Sequence, residues 1–64
     1  MSSDDFKNTF SKVVNRAAEY NANGDDVMMR QKLRNIEDLP LPPAYVCAAL
    51  KEKGLLKYYK GHKS

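Results

Sequence analysis

Arg30, Gln31, Lys32, Arg34 and Asn35 crowd one short stretch of the chain. Side chains of these types read nucleic acids: arginine can donate two hydrogen bonds to a guanine edge or a phosphate, and glutamine and asparagine pair in a similar way with adenine. A second basic group follows in Lys51, Lys53, Lys57, Lys60 and Lys63, interleaved near its end with Tyr58 and Tyr59. Lysines there can neutralise phosphates and release counterions, while a phenol ring can stack on an exposed base. A nucleic-acid-binding surface built from these groups would comprise Arg30, Gln31, Lys32, Arg34, Lys51, Lys53, Lys57, Tyr58 and Lys60. The same residue types also fill the solvated face of any amphipathic helix, and Glu37 and Asp38 follow the first group at once. In the second group, a tyrosine that folds back over a small core leaves its neighbouring lysines in water.

Catalytic chemistry finds little support. His62 is the only histidine and stands in a polar tail, and Cys47 is the only cysteine. Zinc and iron sites need several nitrogen or sulfur ligands held together, so no metal and no cofactor is expected. The chain has no glycine-rich phosphate loop, no nucleophile elbow and no pair of metal-binding histidines on a helix. Its 64 residues also provide little volume with which to wall off the concave, partly dry pocket that catalysis requires. The expectation is a non-enzymatic protein. Cys47 lies inside an apolar run and reads as a small buried hydrophobe rather than a reactive thiol.

The elements that would position these groups follow from the spacing of apolar residues, which predicts an all-α fold: a compact bundle of three short helices over about residues 3–21, 25–38 and 43–53. Ser2 and Ser3 ahead of Asp4 and Asp5 suit a helix start, and Phe6, Phe10, Val13, Val14 and Ala17 share one stripe of the first helix. Asn21-Ala22-Asn23-Gly24 ends it, and Asp25 or Asp26 caps the second helix, in which Met29, Leu33 and Ile36 face inward with Val27 or Met28 extending the face. Asp26 precedes Arg30 by four residues, the favourable order for a surface ion pair. Pro40, Pro42 and Pro43 force an extended connector in which Leu39 and Leu41 tuck toward the core, and Pro42-Pro43 launches the third helix with Val46, Ala49 and Leu50 inward. Gly54 closes that helix, which brings Leu55 against Leu50. The basic segment from Leu55 to Lys60 is compatible with either a short strand or a last helical turn, and residues 61–64 are expected to fray. The whole is read as a single small helical domain.

The stretch Val46-Cys47-Ala48-Ala49-Leu50-Lys51-Glu52-Lys53-Gly54-Leu55-Leu56 resembles the end of the recognition helix in winged-helix DNA-binding proteins, where a similar leucine, lysine and glycine pattern turns into a strand. The resemblance covers about a sixth of the chain. Such a protein would read DNA with the helix that ends here and would follow it with a two-stranded wing. This helix is alanine-rich with little to read a base, and no second strand follows, so the family is not assigned.

Charge and composition bound the partners. Residues 51–64 carry five lysines against the single Glu52, whereas residues 1–50 hold six basic and seven acidic side chains, so the net charge of +3 belongs to the C-terminal end. A lysine-rich end attracts phosphates, anionic headgroups or acidic protein surfaces. The longest apolar run, Val46 to Leu50, is far short of the roughly 20 residues that span a bilayer, and no signal peptide is recognisable. No membrane partner is expected, and the protein is read as cytoplasmic, or nuclear if eukaryotic. Two functions fit. The first is a small nucleic-acid-binding or transcription-associated module. The alternative is a protein-interaction module, a small inhibitor or adaptor that docks a helix face on a larger protein with Tyr45, Tyr58, Tyr59 and Arg34 as anchors. A homodimer that completes its core by pairing is a third possibility.

Overall fold

The computed structural model describes residues 3–59. Helix α1 spans Ser3–Ala22, α2 spans Asp26–Glu37, α3 spans Pro43–Glu52, and a 3-10 turn follows at Leu56–Tyr58. The fold is the all-α bundle that the apolar spacing predicts, and each helix ends within one residue of its expected place. Ser2, Lys60 and the tail 61–64 lie outside the described residues.

The core is one cluster to which every helix contributes a stripe: Phe10, Val14 and Ala17 from α1, Met29, Leu33 and Ile36 from α2, and Val46 and Leu50 from α3, closed by Leu55. Val13, Ala49, Leu39 and Leu41 pack against it while half-buried. Val27 departs from the expected face. It precedes Met29 by two residues, which turns it roughly 200° around the helix, and it is left 78% exposed.

Two glycines end helices in the same way. Gly24 and Gly54 take left-handed backbones, with φ of 80° and 73°, a region open to glycine without a Cβ penalty. After α1, the N–H of Gly24 donates to Asn21 O at 3.1 Å and that of Asp25 to Tyr20 O at 2.8 Å. After α3, Gly54 donates to Lys51 O at 3.1 Å and Leu55 to Leu50 O at 2.9 Å. Both are Schellman caps, which satisfy carbonyls that a helix end otherwise leaves without partners. The residue after each glycine decides what the cap does next. Asp25 turns at once into the cap of α2, its carboxylate accepting from the N–H of Met28 at 3.3 Å, so α1 and α2 form a tight hairpin. Leu55 instead drops into the core with no exposed surface.

That anchor settles the segment left open between strand and helical turn. A strand needs a partner to pair with, and among the described residues there is none. The chain after Leu55 therefore tightens into a 3-10 turn, with Tyr58 N–H donating to Leu55 O and Tyr59 N–H to Leu56 O, both at 3.0 Å. The likeness of this region to a winged helix accordingly stops at the glycine cap: a helical turn stands where that pattern would place a strand.

Candidate functional site

Helix α2 separates residues that are neighbours in sequence. At about 100° per residue, Val27, Arg30, Gln31, Arg34 and Glu37 share one flank, while Lys32 lies with Met28 and Asn35 on the other. Lys32 is half-buried there, and Arg30, Gln31 and Arg34 are exposed. The basic cluster is thus two groups facing apart.

The first flank meets the terminal turn across an open groove of about 470 Å³, lined by Val27, Arg30, Gln31, Leu33, Arg34, Glu37 and Tyr58. Its floor is apolar, because Leu33 belongs to the core, and Val27 stands exposed at its rim. Tyr58 packs against the core and forms the opposite wall. The Arg30 guanidinium lies over its ring at 5.6 Å from the centroid, and Lys57 Nζ lies at 5.2 Å. Both are within the range of cation–π attraction, worth about 0.5–1 kcal/mol at an exposed site. This explains why the expected pair between Asp26 and Arg30 is not formed: the guanidinium turns to the ring. Among the described residues, neither Arg30 nor Arg34 makes an ion pair. The groove therefore presents two arginines without carboxylate partners, backed by Lys57, with one acidic residue, Glu37, at its far end.

Tyr59, next along the turn, also packs against the core. Burial, then the Glu37 carboxylate, then Cys47 push its hydroxyl above the ordinary tyrosine range. Cys47 is half-buried rather than fully enclosed. No group of three or more His, Cys, Asp or Glu that could hold a metal occurs among the described residues.

The remaining basic residues are elsewhere. Lys53 lines a second groove of about 250 Å³ with Phe10, Val14, Tyr45, Ala49 and Glu52, between α1 and α3. There Tyr45 is pinned by Phe10, the ring centroids 5.4 Å apart and tilted at 50°, and Lys7 Nζ lies 5.5 Å from its centroid. Lys51 is exposed on α3, and Lys60 is outside the described residues. The structure thus gathers Arg30, Gln31, Arg34, Lys57 and Tyr58 of the expected residues and separates Lys32 and Lys53 from them. Reasoning from the sequence missed Val27 and Glu37. A helical wheel carries the signal for both, since Val27, Arg30, Arg34 and Glu37 follow one another at steps of three, four and three.

Comparison of the chain with protein families, curated proteins and solved structures gives no match in any of the three.

Proposed function

We propose that this chain is a non-enzymatic protein-interaction module that receives a segment of a partner protein in the groove between α2 and the terminal turn. The observation that carries this reading is Val27: a β-branched apolar residue left 78% exposed at the rim of a groove whose floor is the core residue Leu33 and whose wall is Tyr58. An apolar centre ringed by arginine and tyrosine has the make-up of a protein-binding hot spot. A phosphate backbone would instead call for cations along one continuous track. Here Lys32 lies on the opposite flank of α2, Lys53 sits in the other groove beside Glu52, and Glu37 interrupts the basic rim. The placement of the charges favours a protein partner over a nucleic acid.

The test compares the wild-type chain with Val27→Lys, and with Tyr45→Lys as a control in the other groove, as baits in extract of the source organism before and after nuclease treatment. Fluorescence anisotropy with DNA and RNA is run alongside at near-physiological salt. The expected result is a protein retained by wild type and by the control but lost by Val27→Lys, with nucleic-acid binding that fades as salt rises. Capture that disappears on nuclease treatment, or nucleic-acid binding that persists at that salt, would establish the nucleic-acid reading in its place.

A further inference from the structure

We infer that the segment received by the groove is an acidic helix bearing two carboxylates one turn apart and then a cation, arranged beside an apolar anchor. This rests on the interaction reading above and specifies the chemistry of the partner.

Arg30, Arg34 and Glu37 line one side of the groove at steps of four and three, so along α2 their charges read basic, basic, acidic. Helical rise places Arg34 roughly 6 Å and Glu37 roughly 10 Å beyond Arg30. Neither arginine has an ion partner among the described residues, and the nearby Lys57 adds positive field on the Tyr58 side. The complement is therefore acidic, acidic, basic over the same distances.

A helix laid alongside α2 meets this pattern residue for residue, because steps of four and three stay on one helical face. An extended strand covers the first interval in about two residues and the second in little more than one, at roughly 3.3 Å per residue, so its third charge would point to the opposite face. The favoured occupant is thus helical. Its apolar side would rest on Val27, Leu33 and Tyr58, the arrangement by which amphipathic helices seat in grooves.

The same charges disfavour a second copy of this chain. The lining of each groove carries an excess of positive charge, Arg30 and Arg34 against Glu37, with Lys57 beside Tyr58 and Asp26 outside the lining one turn before Arg30, and groove-to-groove pairing would set the arginines of the two copies together. Such juxtaposition is costly at an interface.

The experiment is selection from a displayed library of random peptides about 16 residues long, roughly four turns of helix, on the wild-type chain. Recovered peptides are titrated by fluorescence anisotropy against wild type, Arg34→Glu and Val27→Lys. Arg34 makes no described contact with Tyr58, so Arg34→Glu leaves the wall of the groove in place, and circular dichroism checks that each variant is folded. The expected peptides carry Asp or Glu four apart, with Lys or Arg three residues beyond or, in the antiparallel sense, three residues before. Arg34→Glu weakens their binding about tenfold, and replacing the facing carboxylate by lysine restores it.

Peptides without that pattern, sensitive to Val27→Lys but indifferent to Arg34→Glu, would overturn the charge complement and leave the groove standing as the docking site. Recovery of no binders, or of binders indifferent to Val27→Lys, would overturn both.

Discussion

Two grooves, each walled by a tyrosine and each reaching down to the core, differ in charge balance and in exposed apolar surface. Between α1 and α3, Tyr45 tilts against Phe10 with Lys7 over its ring and is 36% exposed, and the basic Lys53 at its edge has Glu52 as a neighbour in the same lining. Between α2 and the terminal turn, Val27 is bare and both arginines lack carboxylate partners among the described residues. The first groove is a seam between helices in whose lining one lysine and one glutamate balance. The second has a far more exposed apolar residue in Val27 and two arginines against one glutamate in its lining, an imbalance that the proposed partner would meet. The walls also differ in support. Tyr45 stands on a helix, whereas Tyr58 stands on a short turn whose position depends on the Gly54 cap and on Leu55.

The largest effect should come from removing that support. Leu55→Ala empties a fully buried site, a change that costs about 2–5 kcal/mol. A chain of this size has a net stability of roughly 3–5 kcal/mol, so the variant should be largely unfolded by circular dichroism at room temperature, and both grooves are lost together.

Gly54→Ala separates the two. At φ of 73° with no atom within 4 Å of an added Cβ, its cost is conformational, about 1–2 kcal/mol in urea titration. Amide shifts should change around Arg30, Arg34 and Tyr58 while those around Tyr45 hold. Gly24→Ala, with φ of 80° and equally open surroundings, should cost a similar amount and leave the Tyr58 groove unmoved.

Tyr45→Ala removes a ring pair worth about 0.5–1.5 kcal/mol and should lower stability by at least that much, yet leave binding at the α2 groove unchanged.

The smallest expected effect appears only in alkali. Burial, Glu37 and Cys47 raise the Tyr59 hydroxyl in the folded chain, so the unfolded chain gives up this proton at a lower pH than the folded one. The contribution to stability is complete below the ordinary tyrosine pKa of about 10 and is lost as pH rises from there through the higher folded value. Stability against pH should therefore fall less steeply above that point for Tyr59→Phe than for wild type.

What could be read from the sequence was local. The glycine caps, the Asp25 cap, the proline break and the three inward stripes each rest on residues within a turn or two of one another, and each is present in the fold, save that Phe6 at the start of the first stripe is half-buried outside the core cluster. The segment after Leu55 could not be decided in that way. Leu55 to Tyr59 suits a strand or a helical turn equally well by composition, and the choice was made by Leu55 entering the core where no strand was available to pair. The groove was legible only in part for the same reason. Arg30, Arg34 and Tyr58 stood out by type, but grouping Arg30 to Asn35 by sequence merged two faces of α2. The meeting of that flank with Tyr58, about two dozen residues further on, depends on how all three helices pack.

The most direct test of the account is an amide NMR titration of the isotope-labelled chain with a peptide recovered by display. Shifts centred on Val27, Arg30, Arg34, Glu37 and Tyr58, with Tyr45 and Lys53 unmoved, are the predicted result; shifts centred on Tyr45, Ala49 and Lys53 would contradict it.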